Sequence, residues 1–287
     1  MKTSRAFDAN PMLIVHSTIA SLTKAEQKVA ALVLEDPEFV MFASVTDVAE
    51  RAGVGETTVI RVCRKIGYRG YQEFKLSIAQ HLVNPTETVH GPIQTSDTLD
   101  TALQKIAMYN MQTLQDTAKM LKTEHVKEAA ALVLNACHVY IFGVGSSGIT
   151  ALDLQYRLMR IGIHAISESD AHKIAMMSAL AGPDDVIIGI SASGSTKDVI
   201  DALTIAKKNF VPIICVTNHS RSPITQLSKI ALLTAAREAP LQGGAVGTKI
   251  AQMQVLDALT TVIALGNHEY AMRAIEKTAE AVVDKLL

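Results

Sequence analysis

The sequence predicts an α/β domain, a parallel sheet with helices on both faces, preceded by an all-α helix-turn-helix domain. Three observations carry this. Up to residue 83 the apolar residues recur only at helical spacing. Beyond residue 97, helices alternate with short β-branched runs bounded by glycine, proline and serine, the pattern of βαβ units. Between them, Asn84-Pro85-Thr86-Glu87-Thr88-Val89-His90-Gly91-Pro92 is polar, proline-bracketed and without either hydrophobic period. The expected organisation is a helix-turn-helix domain over 1–83, a linker over 84–97 and the α/β domain over 98–287.

In the first domain, Thr23-Lys24-Ala25-Glu26 is a capping box ahead of a helix running towards Leu34, and Pro37 follows its end. Val45 to Ala52 forms a helix closed by Gly53-Val54-Gly55, and Glu56 to Ile66 forms the next. A helix, a short glycine turn and a second helix make the helix-turn-helix signature. Ala49 suits a close helix contact, with Val48, Val54, Val59, Ile60 and Cys63 as the small core. In the second domain, helices are expected over Thr98–Leu121, Glu124–Asn135, Ile149–Ile161, Lys197–Asn209, Ala245–Leu265 and the C-terminal stretch. Strands are expected over His138–Phe142, Ile163–Ser167, Asp185–Ile190, Pro212–Thr217 and Ile230–Thr234.

A formal net charge of −1 excludes a protein coated all over with positive charge, although a local basic face survives that test. Cys63, Cys137 and Cys215 are far apart and form no C-x-x-C pair. They read as buried free thiols in a reducing cytosol, with no metal site implied. The apolar Met12–Val15 runs into His16, Ser17 and Thr18 without a cleavage signal, so no signal peptide is expected. The apolar stretch near the C-terminus is interrupted by Gln254, Asp257 and Asn267, so no membrane span is expected either. The expectation is a soluble, cytoplasmic protein.

Helix 56–66 carries donors where a duplex is read. A recognition helix presents its N-terminal end and outer face to base edges in the major groove. Glu56, Thr57, Thr58, Arg61, Arg64 and Lys65 occupy those positions. Arg69 and Lys75, with Tyr68 and Tyr71, follow as candidate phosphate contacts. Only Glu73 is acidic between Arg61 and Lys75, so the charge is local. The alternative is an ordinary trihelical cluster with a solvated basic face.

Two further segments share one design. His138–Phe142 runs into Gly143-Val144-Gly145-Ser146-Ser147-Gly148 and a helix. Asp185–Ile190 runs into Ser191-Ala192-Ser193-Gly194-Ser195-Thr196-Lys197 and a helix. Glycines let the backbone approach an anion, helix-opening amides point at it, and hydroxyls complete its ligation. Gly143-x-Gly145-x-x-Gly148 lacks the Gly-Lys-Ser/Thr of a nucleotide P-loop. It formally fits the dinucleotide fingerprint, and Glu168 stands about 20 residues on, which keeps a nucleotide as an alternative ligand.

Gly145-Ser146-Ser147 and Ser191-x-Ser193-Gly194-Ser195-Thr196-x-Asp198 resemble the phosphate loops of the sugar isomerase (SIS) domain. Leu22-Thr23-x-x-Glu26, together with Val59-x-Arg61-x-Cys63-Arg64-Lys65-x-Gly67-Tyr68-x-Gly70-Tyr71-x-Glu73-Phe74-Lys75, resembles the DNA-binding domain of RpiR-type regulators, which join these two domains in this order. The resemblance implies a homodimer or homotetramer on double-stranded operator DNA, controlled by a phosphorylated sugar, with no cofactor. It implies phosphate ligation by Ser146 or Ser147 with Ser191, Ser193, Ser195 and Thr196. Asp170-Ala171-His172 matches the family's Asp-x-His segment, which makes His172 a candidate for a sugar hydroxyl. Lys249 is a candidate for the phosphate or a ring substituent.

The rival function is an aldose–ketose phosphosugar isomerase. That chemistry needs a general base, and Glu238 is the obvious carboxylate in the loop after the strand expected over Ile230–Thr234. An outward-facing helix-turn-helix serves no isomerase, so the expectation is a regulator with no catalytic residues. A third class is a dimeric scaffold with a vestigial ligand site.

Overall fold

The computed structural model describes residues 11–82, 93–236 and 245–283. Two compact units emerge, dividing at Asn110 and again after Val246. Most of the expected linker, 84–92, lies outside the described residues. The division at Asn110 falls inside the helix that follows the linker.

The first unit contains α1 (Pro11–Thr18), a 3₁₀ turn (Ile19–Ser21), α2 (Lys24–Glu35), α3 (Pro37–Phe42), α4 (Val45–Arg51), α5 (Glu56–Lys65) and α6 (Tyr71–Leu82). Its boundaries follow from capping. The Thr23 amide donates to Glu26 Oε2 at 2.9 Å and the Glu26 amide to Thr23 Oγ1, which closes the expected box on α2. Asp36 caps α3, with Pro37 at its first position, and Ser44 and Asp47 form a second box on α4. Between α4 and α5, Gly53 takes a left-handed φ of +63° that L side chains resist, and the chain turns there. Val29, Val33, Val40, Val48, Ala49, Val59, Val62, Cys63, Phe74 and Ile78 fill the core. Val54 and Ile60 pack at its margin.

In the second unit five strands form one parallel sheet in the order β2-β1-β3-β4-β5. They are β1 (Val139–Gly143), β2 (Ala165–Glu168), β3 (Val186–Ile190), β4 (Ile213–Thr217) and β5 (Ile230–Leu233). The helices are α7 (Leu99–Met120), which crosses the division between units, α8 (Thr123–Asn135), α9 (Ser146–Arg160), α10 (Ala171–Leu180), α11 (Lys197–Lys208), α12 (Pro223–Leu227), α13 (Ala245–Gly266) and α14 (His268–Glu280). Alternation along the strands sends residues to opposite faces. Ile141, Ile188, Ile190, Ile214 and Leu232 pack against α8, α9 and α13. Phe142, Ile187, Ile213 and Cys215 pack against α10, α11 and α12. Every residue of β3 and β4 is buried, so the central strands read as unbroken apolar runs. α10 was not among the expected elements, and the C-terminal apolar stretch breaks at Asn267 into α13 and α14.

The five expected strands and the parallel sheet with helices on both faces are present. One expectation about cysteine fails: Cys63 and Cys215 are buried, but Cys137 is exposed. Cys137 lies in the loop between α8 and β1. Among the described residues, no helix is long and apolar enough to cross a membrane, and no group of histidine, cysteine and carboxylate residues suits a metal ion.

Candidate DNA interface and anion-binding loops

In this strand order β1 lies between β2 and β3, so the chain leaves β1 in one direction and later resumes on its other side. A crevice opens at such a reversal, beyond the carboxyl ends of the strands. Gly143 pairs with Ile190 in the β1–β3 register, which places the loops 144–145 and 191–196 side by side. The sequence expected both loops, and the topology brings them together.

The first loop is two residues long. Gly145 adopts φ +63° and opens α9 without any side-chain cap, so the first amides of a 15-residue helix face the crevice end of the sheet. Close crossings require the other two glycines. A Cβ on Gly143 would stand 2.5 Å from the Ser147 carbonyl oxygen, and one on Gly148 would stand 2.5 Å from Ser169 Oγ. Ser146 is half-buried and Ser147 is buried.

The second loop is held from below by β4. The Ser191 amide donates to the Val216 carbonyl at 3.0 Å, and the Asn218 amide to the Ala192 carbonyl at 3.0 Å. Gly194 has φ +65°, and a Cβ there would collide with Ser222 Oγ at 2.3 Å. Ser191 and Thr196 hydroxyls bond each other at 2.8 Å. Ser193 Oγ accepts from the Ser195 amide and hydroxyl, both at 3.2 Å. No side chain caps α11, which starts at Lys197.

Sequence reasoning missed the residues that brace these loops. Gln252, fully buried on α13, joins Ser147 Oγ at 3.2 Å and Thr150 Oγ1 at 2.8 Å. Leaving such a buried amide unsatisfied costs about 1–3 kcal/mol, so this network fixes the loop to α13. The available signal was a glutamine inside an apolar helical run. Lys249 is half-buried one turn earlier on the same helix, and so shares the Gln252 side of it. His172 is exposed in the first turn of α10, and its amide donates to Asp170, the N-cap of that helix. Among the described residues, no hydrogen bond or ion pair joins the His172 or Lys249 side chain to the serine loops. Glu238 lies outside the described residues.

Glu168 bears on the nucleotide alternative. Its carboxylate accepts from the amides of Asp170 and Ser169 and pairs with Lys173 at 3.1 Å. Those amides and that ammonium hold its pKa below the ordinary carboxylate value. The group closes a local turn instead of standing ready for a ribose.

On α5 the expected DNA-facing residues divide. Thr57, Arg61, Arg64 and Lys65 are exposed at three- and four-residue spacing. Glu56 accepts from Thr46 Oγ1 at 2.6 Å across the turn. Arg64 Nε donates to the Arg69 carbonyl at 3.3 Å, and Arg69 itself is exposed beside Glu73. Thr58 faces inward and is buried, as helical spacing from Val62 requires. Lys75, expected at phosphates, is only 6% exposed, and its ammonium donates to the Ala43 carbonyl at 2.9 Å. Tyr71 reaches the Val40 and Ala43 carbonyls, and Tyr68 meets Ser77. Tyr71 and Lys75 on α6, and Tyr68 in the turn ahead of it, therefore all face the core, where amphipathic side chains bury their bodies and satisfy their tips.

Arg61 and Lys65 have a partner the sequence did not reveal. Glu26, fully buried, receives Arg61 Nε at 2.9 Å and Lys65 Nζ at 2.7 Å. The Lys65 ammonium and the Thr23 amide, foremost, bring its pKa down from 4.5 to about 2.

Two family models match the chain: a helix-turn-helix domain of the rpiR family over residues 10–85 and a SIS domain over residues 132–262. An HTH-type transcriptional regulator of Haemophilus influenzae is 33% identical over 284 residues, covering 98% of this chain and 99% of that protein. The chain belongs to the RpiR family of transcriptional regulators. RpiR of Escherichia coli K12 is 26% identical over 92% of this chain and 88% of its own length. Vibrio vulnificus NanR, solved in complex with ManNAc-6P, is 33% identical, with 96% of this chain and 99% of that one covered and a TM-score of 0.81. The parallel sheet of this RpiR-family regulator has the SIS fold. The helix-turn-helix domain and the transcriptional relatives make it a regulator rather than an enzyme.

Proposed function

We propose that this regulator reads double-stranded operator DNA with the exposed face of α5 and is controlled by a phosphorylated amino sugar bound between the loops after β1 and β3. In this reading residues 1–83 bind DNA, 84–97 link, and 98–287 sense the effector. The observation that carries the sensing half is the pair of uncapped helix N-termini opening side by side at the β1–β3 reversal, lined by serine and threonine hydroxyls. Ser146 and Ser147 with Ser191, Ser193, Ser195 and Thr196 take the phosphoryl group. His172 and Lys249 serve the sugar side. NanR, similar over almost its whole length, holds ManNAc-6P, and that supports this ligand class.

For the DNA half, Thr57, Arg61, Arg64 and Lys65 supply the reading face and Arg69 a phosphate contact. A homodimer or homotetramer presents two such faces to half-sites about one duplex turn apart. Exposed Ile149, Leu152, Tyr156 and Met159, spaced along α9, support self-association.

Thermal melting with ManNAc-6P and with unphosphorylated ManNAc tests the sensing half. A true effector at a hundredfold excess over its Kd stabilises by about 2.7 kcal/mol, and only the phosphorylated sugar is expected to do so. Ser193→Ala is expected to abolish that shift and Arg61→Ala to leave it intact. Equal shifts with both sugars, or none with any hexosamine phosphate, would remove the sensing proposal.

A further inference from the structure

The recognition helix carries more positive charge in sequence than it has free in the fold. Arg61 and Lys65, from one face of α5, both end on a carboxylate from α2, 35 and 39 residues earlier in the chain. The arrangement is asymmetric in a useful way. Glu26 takes Arg61 by Nε alone. Among the described residues the two terminal guanidinium nitrogens have no partner, and the Arg61 side chain is 55% exposed. A guanidinium held at Nε keeps its terminal nitrogens as a planar fork whose direction is set by the carboxylate behind it. Such a fork matches O6 and N7 of guanine in the major groove. The support is itself rigid. Glu26 is at the third position of α2, and its other oxygen accepts from the Thr23 amide of the capping box as well as from Lys65.

We propose that Glu26 is a positioning residue for operator reading: it aims Arg61 at a guanine and balances part of the charge of α5, so that selectivity rises relative to general attraction to DNA. This rests on the reading that α5 enters the major groove. Two effects separate here. Positive charge alone attracts any duplex, because phosphate neutralisation is independent of sequence. A carboxylate beneath the face lowers that attraction. In exchange, a fixed fork discriminates between base pairs in a way that a freely rotating arginine does not. A purely structural Glu26 would affect melting and total DNA affinity, with no preference attached to one base pair.

The full chain, Glu26→Gln, Glu26→Asp, Arg61→Ala and the Glu26→Gln/Arg61→Ala double variant are each selected on a random-sequence duplex pool. The enriched duplex is then compared with versions in which each G·C pair is replaced. The unaltered chain is expected to enrich a site in which one G·C replacement weakens binding at least about tenfold. Glu26→Gln is expected to bind the random pool as tightly as the unaltered chain or more so, with that preference reduced below about threefold. Arg61→Ala is expected to lose the same preference, and the double variant no more than either. Glu26→Asp keeps the charge but draws the carboxylate back, so it loses the preference without tighter pool binding. It also serves should Glu26→Gln fail to fold. Preserved discrimination in both Glu26 variants overturns the proposal, as does a loss of pool affinity and preference together. If the unaltered chain enriches no sequence at all, the DNA-reading assignment itself fails, a result that needs no variant.

Discussion

Replacing Gly194 by alanine tests whether the loop after β3 is as tightly determined as its geometry implies. Two costs combine. At φ +65° an L residue pays about 1–2 kcal/mol for the left-handed backbone. The new Cβ would also stand 2.3 Å from Ser222 Oγ, 2.6 Å from Ser222 Cβ and 3.0 Å from Thr217 Oγ1. Ser222 is fully buried, so it cannot swing into solvent, and relieving such overpacking costs about 1–3 kcal/mol more. The expected loss is therefore about 2–5 kcal/mol in the unit carrying the sheet. Gly53 supplies the comparison. Its φ is +63°, but a Cβ there meets nothing nearer than Lys28 Nζ at 4.0 Å, so Gly53→Ala should incur the backbone cost alone. Urea unfolding followed by far-UV circular dichroism reads both, since the chain has no tryptophan to report fluorescence. Binding of ManNAc-6P, measured by calorimetry, should fall for Gly194→Ala and persist for Gly53→Ala. Equal destabilisation at the two positions would refute the crowding argument, whatever the size of either loss.

Stability of the first unit should depend on acid through Glu26. Its folded pKa lies below the ordinary 4.5, so its contribution is fully present above 4.5 and disappears as pH falls towards 2. The melting difference between the unaltered chain and Glu26→Gln should narrow across that window; a difference independent of pH from 6 to 2 would contradict the assignment of the ion pairs. Thiol titration should find Cys137 alone reactive in the native state, because burial pushes Cys63 and Cys215 up to about 12, and all three should react in denaturant. Lys75→Met should lower stability by about 1.5–3 kcal/mol, the range for a hydrogen bond to a charged group, yet leave the salt dependence of duplex binding unchanged. A shallower salt slope would return Lys75 to the phosphates.

What the sequence makes legible here is whatever one segment decides for itself. The capping box at Thr23 and Glu26 was readable because its donors and acceptors lie three residues apart. The strands were readable because β3 and β4 are apolar throughout, and the serine loops because small residues interrupt those runs at their ends. The side-by-side placement of the loops was also within reach, since βα units with right-handed crossovers leave few strand orders to consider. Lys75 went wrong for a local reason: a long side chain packs its methylenes inside as readily as it extends its charge, and which it does depends on the neighbours α6 meets. Those neighbours are in α3 and the Ala43 carbonyl, 32 residues away.

Glu26 shows the limit most sharply. As a capping residue it satisfies a local rule completely, and a completed rule gives no reason to look for a second role. Yet one Glu26 oxygen in the fold reaches Arg61 and the other serves both the Thr23 amide and Lys65. The carboxylate can do both because the cap requires only one lone pair of the several it carries. Burial then makes the remaining acceptors costly to leave empty, and α5, packed against α2, supplies the cations. The same logic applies to Gln252, whose amide is enclosed by α9 and must find Ser147 and Thr150. In both units, a buried polar group with acceptors or donors to spare reaches across to the element that bears the proposed binding residues. On the proposed reading, the positions that aim a site are thereby fixed by satisfaction of hydrogen bonds within the core, and a search of the surface alone does not find them.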